Sequence, residues 1–122
     1  MSWEPSCEGI VQSTPGVDAV FLADLSGSLY GTSDAAHWHP SPQETKEIVQ
    51  TVRDPEATPR LAVQGENYAL TARQDDTVIG KKDDKAIVAV ATNKIVIVAR
   101  VDENAAPQAL RKLQTYAAEN AS

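Results

Sequence analysis

Three aromatic residues are placed so that a folded chain could bring them together: Trp3 at the start, Tyr30 in an early strand-like stretch and Tyr116 near the end. The chain has two tryptophans, three tyrosines and one phenylalanine, so half of its aromatic rings are at stake. A tryptophan near a terminus is costly to leave undocked. If a helix from each end packs on one face of a sheet, the three rings share a surface. Flat aromatic faces of this kind dock polyproline II segments. Such a segment is already extended, has no internal hydrogen bonds and loses little entropy on binding, while an indole N–H or phenol O–H reaches a free carbonyl.

Other reactive side chains are sparse. His37 and His39 flank Trp38 and would share a face on a strand, but no nearby cysteine or third histidine completes a zinc site. Trp38 reads as a loop residue covering an end of the core. Cys7 has no activating neighbour, and two histidines in one loop support no catalytic triad. No enzyme, metal or cofactor is therefore expected. Gly80-Lys81-Lys82-Asp83-Asp84 lacks the Gly-x-x-x-x-Gly-Lys-Ser/Thr pattern of a phosphate loop and reads as a solvated hairpin turn.

The totals narrow the class. With 122 residues the chain is expected to form one domain, 1–122. A net charge of −6 argues against nucleic acid as the main partner and suits a basic protein surface. The single cysteine allows no internal disulfide. Glu4, Pro5 and Glu8 interrupt any signal-like stretch, and the apolar run from Ala86 to Val101 is broken by Thr92-Asn93-Lys94 and Arg100, too polar to span a bilayer. The expectation is a reducing, cytoplasmic setting.

The elements that must position these residues follow from the pattern. Residues 2–13 read as a short helix, with Ser2 as N-cap, Pro5 in the first turn and Pro15-Gly16 as the stop. Val17 to Ala23 and Leu29 to Thr32 read as strands around a Leu25-Ser26-Gly27-Ser28 turn. Ser41-Pro42-Gln43-Glu44 is a capping box, and Thr45, Ile48, Val49 and Val52 form one buried stripe that ends at Asp54-Pro55. Strands are predicted at 60–63, 67–73 and 77–81, with Gly65 and Asp75-Asp76 at turns. A hairpin pairs Ala86–Thr92 with Lys94–Val101 through Asn93. Its apolar residues are nearly continuous, which predicts helices on both sides of the sheet. A last helix over 105–119 buries Ala106, Ala109, Leu110, Leu113 and Ala117, with Pro107 in its first turn. The result is an α+β sandwich around an antiparallel sheet.

This order of pieces resembles profilin, the small actin-monomer-binding family, over most of the chain. The resemblance rests on Met1-Ser2-Trp3, the Val17–Thr32 hairpin with Ser26-Gly27-Ser28 leading to an aromatic, and Pro42-Gln43-Glu44 before Ile48-Val49. It continues in Val78-Ile79-Gly80-Lys81-Lys82 and in Leu113-Gln114-Thr115-Tyr116. It implies a central antiparallel sheet with both terminal helices on one face. It also implies a polyproline site at Trp3, Tyr30 and Tyr116 between those helices. The family often has an aromatic where this chain has Ser6, and tryptophan where it has Tyr30, which implies weaker binding.

The resemblance further implies one-to-one binding of monomeric actin, regulating polymerisation in the cytoskeleton, through Asn67, Arg73, Lys81, Gln108 and Lys112. The loop before the last helix is shorter than is usual in the family. Phosphatidylinositol bisphosphate is a further implied partner, at Lys81, Lys82 and Lys85, with Asp83 and Asp84 offsetting their charge. A different class also fits Val20–Thr32: the roadblock-type dimeric scaffold for motors and small GTPases. Trp3 and the C-terminal helix discriminate, because a roadblock-like dimer has no reason to assemble Trp3 with Tyr116. Profilin-like architecture predicts a monomer.

Overall fold

The apolar runs become the middle of a seven-stranded antiparallel sheet. A computed structural model of the chain describes residues 9–12, 14, 16–33, 38, 40–54, 61–63, 65–74, 77–92 and 95–120. The strands are β1 (Val17–Asp24), β2 (Leu29–Thr32), β3 (Leu61–Val63), β4 (Glu66–Gln74), β5 (Thr77–Lys82), β6 (Lys85–Ala91) and β7 (Ile95–Asp102). Their spatial order is β2-β1-β7-β6-β5-β4-β3. Helices α1 (Pro42–Arg53) and α2 (Ala106–Asn120) accompany them, the latter entered through a 3₁₀ turn at Glu103–Ala105. Residues 9–12 are helical as expected. Trp3, Cys7, His37, His39 and Asn93 lie outside the described residues, as does the Asp75-Asp76 turn.

Strand alternation builds two cores. On one side, Val20, Leu22, Val88, Ile97 and Ala99 meet Ile10 and the α2 residues Ala106, Ala109 and Leu113. On the other, Phe21, Ala89, Val96 and Val98 meet Ile48, Val49 and Val52 of α1. Both faces of β6 and β7 are thus covered, as their uninterrupted apolar pattern requires. Trp38 does more than cover an end: it is 1% exposed, tilted against Phe21 at 5.8 Å and edge-on to Tyr68 at 6.5 Å.

Local chemistry fixes the ends of the elements. Ser41 Oγ accepts from Glu44 N at 3.1 Å while Glu44 Oε1 accepts from Ser41 N at 2.9 Å, the reciprocal box read from the sequence. At the other end of α1, Arg73 reaches across from β4 and donates to the Val52 carbonyl at 3.3 Å and to the Thr51 carbonyl. A cation on the carbonyl end of a helix satisfies orphan acceptors and complements the dipole. Two boundaries differ from expectation. Thr92 is not in the ladder: its hydroxyl accepts from Ile95 N at 3.0 Å and its own N–H donates to the Ile95 carbonyl at 2.8 Å, closing the hairpin. The last helix starts one residue later than expected, because the Glu103–Ala105 turn precedes it.

The β1–β2 turn is held by one carboxylate. Asp24 Oδ1 accepts from Ser26 N at 2.9 Å, from Ser26 Oγ at 2.6 Å and from Ser28 N at 2.9 Å. Gly27, at φ 96, allows the backbone to lie against the Lys46 stem, where a Cβ would collide. These bonds, the Ser26 hydroxyl foremost, hold the Asp24 carboxyl below the usual carboxylate range.

Two outcomes are expected. Arg73→Met should lower stability by about 1–2 kcal/mol in urea melts, since the last α1 carbonyls lose a charged donor; an unchanged midpoint would mean water replaces the guanidinium at no cost. For Asp24, a depressed folded pKa stabilises the fold above the unfolded value of about 3.9, and that stability is lost as pH falls through the lower folded value. Asp24→Asn should therefore be less stable than the parent near neutrality and converge with it in acid. A pH-independent gap would show that the charge is not the cause.

Candidate functional site

The bulge in β4 decides which sequence-predicted residues meet. Ala69 pairs with Lys81 and Leu70 with Gly80, but Ala72, not Thr71, pairs with Ile79. Thr71 is the extra residue, and its hydroxyl donates to the Ile79 carbonyl at 3.2 Å. Strict alternation from Asn67 would carry through 69 and 71 to 73. The bulge shifts the phase by one, so Ala72 takes the α2 side and Arg73 turns to the α1 side. Arg73 therefore lies apart from the other four residues expected with it: the bulge places it at the end of α1.

Asn67 and Lys81 share the α2 side of the sheet, by alternation from Tyr68 and Gly80, whose neighbours are in the α1 core. Gln108 and Lys112 lie four apart on the solvent side of α2, where with Arg111 and Thr115 they line a shallow depression of about 490 Å³. Helix α2 sits over β6 and β7. It leaves β4 uncovered: Asn67, Ala69, Thr71 and Ala72 are all exposed in the middle of a strand. Lys81 Nζ meets Glu103 Oε1 at 2.6 Å, a pair nearly half exposed on both sides and so worth little.

The three lysines predicted as one basic patch are divided and paired. Lys81 points to the α2 side and Lys82 to the other. Lys82 lies 3.5 Å from Glu66. Lys85 bridges Asp18 and Asp102 at 2.6 Å each, and these two carboxylates, Asp102 first, raise its pKa well above the usual lysine range. Lys82 and Lys85 border a cavity of about 390 Å³ with Asp18, Glu66, Tyr68 and Arg100. Arg100 lies 5.2 Å from the Trp38 ring centroid, with Nε 3.7 Å from Asp18. Burial foremost raises the Tyr68 phenol beside it. The one sign of this cluster in the sequence is an arginine set in an otherwise apolar strand.

Of the three aromatic residues, two are described. Tyr30 is 41% exposed on the edge strand β2. It is the extra residue of a second bulge, since Ala23 pairs with Leu29 and Leu22 with Gly31. Leu29 packs with the α1 core, and Gly31 lies opposite Leu22 of the α2 core, so the strand changes phase at Tyr30. Tyr116 is half-buried against the α2 core, as is Val11 of the helical residues 9–12. Tyr116 thus lies on the side of the sheet that holds α2 and residues 9–12, and Trp3 is outside the described residues. Among the described residues no group of three or more His, Cys, Asp or Glu could hold a metal ion, and no helix is long and apolar enough to cross a membrane.

A sequence model of the family described as Profilin matches residues 1–119. The profilin of Saccharomyces cerevisiae is 27% identical over 101 residues, spanning 81% of this chain and 79% of its own. Among solved structures, Schizosaccharomyces pombe profilin aligns with a TM-score of 0.84 at 21% identity, covering 97% of this chain and 95% of that one. LokiProfilin1 in complex with rabbit actin aligns with a TM-score of 0.74 at 15% identity, covering 98% and 96%. These structures share the seven-stranded sheet and the placement of terminal helices on one of its faces. The chain belongs to the profilin family.

Proposed function

We propose that this protein binds monomeric actin one to one, through the open sheet face of β4 and β5 and the adjoining solvent side of α2. The observation that carries this reading is the uncovered middle of β4. A strand whose Asn67, Ala69, Thr71 and Ala72 are exposed beside a covered sheet is a flat, small-residue surface suited to a protein partner. Lys81, Gln108 and Lys112 border it. Lys81 exchanges a weak surface pair with Glu103 for a carboxylate of the partner at little loss. A relative of the same fold, LokiProfilin1, has been solved with rabbit actin, which supports the choice of partner. Bound actin is blocked at one end of the subunit and free at the other, so the protein regulates filament assembly in the cytoplasm as a monomer.

On the side of the terminal helices, Tyr30 and Tyr116, with Trp3, dock proline-rich segments of assembly factors. An exposed ring on an edge strand and a half-buried ring on α2 offer the aromatic faces that polyproline II requires. Simultaneous occupation raises the local concentration of actin near the factor. Phosphatidylinositol bisphosphate is a poor fit for Lys81, Lys82 and Lys85, because a headgroup must displace a carboxylate from each.

Titration with monomeric actin, following suppression of spontaneous polymerisation, tests the first reading. Dose-dependent suppression is expected, weakened about tenfold or more in Lys81→Glu, which places a second negative charge beside Glu103. A folded monomer that suppresses nothing would refute it. Retention on immobilised poly-L-proline tests the second. Tyr30→Ala should lose retention with an unchanged melting temperature, and Lys81→Glu should keep it. Full retention in Tyr30→Ala and in Tyr116→Ala would move the site elsewhere.

A further inference from the structure

In this acidic chain most described cations already have partners. Lys81, Lys82 and Lys85 face carboxylates, Arg73 holds the end of α1, and Arg100 lies between Asp18 and Trp38. Arg111 and Lys112 belong to the face proposed for actin. Lys46 and Arg53 remain, and among the described residues neither has an ion pair or a side-chain hydrogen bond. Arg53 sits in the last turn of α1, where a cation suits the helix dipole. That does not account for Lys46, in the second turn of α1.

Lys46, Gln50 and Arg53 stand at i, i+4 and i+7, one line along the side of α1. Seven residues advance about 10 Å. The line forms one wall of a groove of about 290 Å³; the β1–β2 turn, with Leu25 and Ser26, forms the other. Leu25 and Val49 pack with the α1 core and supply an apolar floor. The Asp24 bonds to Ser26 and Ser28, and the close approach of Gly27 to the Lys46 stem, fix the two walls relative to each other. Asp54 closes one end; the nearby Asp24 carboxylate is taken up by Ser26 and Ser28 within the turn, which leaves Lys46 and Arg53 to face the groove.

We infer that this groove binds an acidic, extended peptide segment of a partner protein, with two carboxylates three residues apart and an apolar side chain between them. A polyproline II chain returns to the same face every three residues and advances about 9 Å in doing so, which matches the rise from Lys46 to Arg53. Gln50, between them, offers an amide to the peptide backbone, and the intervening side chain rests on Leu25 and Val49. A phosphoinositide headgroup fits less well. It calls for cations converging on one centre, whereas these are spread along a helix, and the net charge opposes an anionic bilayer. The groove lies across the sheet from the faces proposed for actin and for proline-rich segments, so it is a third, independent surface.

The test is a titration of the full-length ¹⁵N-labelled protein with the blocked peptide Ser-Gly-Glu-Leu-Ala-Glu-Gly-Ser and with its Glu→Gln counterpart. The acidic peptide should shift amide signals of Leu25, Ser26, Lys46, Gln50 and Arg53, and the Gln peptide should not. The double variant Lys46→Gln/Arg53→Gln should weaken binding about tenfold or more while staying folded, with only the small drop in melting temperature that loss of a cation from the last turn of α1 brings, and keeping the parent effect on actin. No shift at millimolar peptide, shifts centred elsewhere, equal binding of the Gln peptide, or unchanged affinity in the double variant would each overturn the proposal. Cosedimentation with vesicles of phosphatidylserine and phosphatidylinositol bisphosphate that depends on Lys46 and Arg53, without peptide shifts, would assign the groove to a membrane instead. Because the peptide shifts and their dependence on Lys46 and Arg53 do not involve actin, a failed actin titration leaves the peptide result interpretable.

Discussion

Strands β6 and β7 carry apolar side chains on both faces, so each must be covered twice, and the rest of the molecule is arranged around that requirement. Helix α2 and residues 9–12 cover one face and α1 the other. Alternate residues of the same strand belong to different cores, so a one-residue slip would exchange the two sets. It would also move Arg100 from the margin of the α1 core into the α2 core, against Ala106 and Leu113. Lys85 adds a second restraint, tying β6 to Asp18 on β1 and Asp102 on β7. Such partly exposed pairs contribute little to stability, but they are lost in every shifted register.

The same economy of charge shapes the surface. Around the β5–β6 turn each lysine faces a carboxylate, so the turn is electrically quiet despite its basic sequence. The middle of β4, by contrast, is neutral, flat and made of small side chains. A partner docking there displaces water without first breaking strong contacts, and the charges that steer it stand at the border. The bulge at Thr71 contributes twice: it keeps Ala72 on this face, and it sends Arg73 to secure the end of α1.

How much of this was legible in the sequence depended on range. The capping box of α1, the β1–β2 turn and the apolar β6–β7 hairpin are set by neighbours within a few residues, and their positions could be read directly. So could the need for helices on both faces, because uninterrupted apolar alternation has no other solution. The role of Arg73 could not, since one extra residue in β4 inverts every side chain beyond it and no glycine or proline marks the spot. The partners of Lys85 lie 67 and 17 residues away, and only the strand register brings them within reach. Trp38 was placed at the margin of the core because its loop setting was visible, whereas Phe21, Tyr68 and Arg100, which enclose it, come from three separate strands.

The sheet separates the groove beside α1 from the surfaces proposed on the α2 side without isolating them. Side chains at the border, such as Lys81 on one side and Lys46 on the other, touch solvent and one core at most, so their replacement acts on one face alone. Residues of β6 and β7 behave differently, because adjacent positions such as Ile97 and Val98 serve opposite cores. A cavity opened at Val98 relaxes partly through the backbone of β7 and so reaches the seat of α2 as well as that of α1. Loss of binding on both faces from a single substitution is therefore the signature of damage to the shared strands, and loss on one face is the signature of a surface contact.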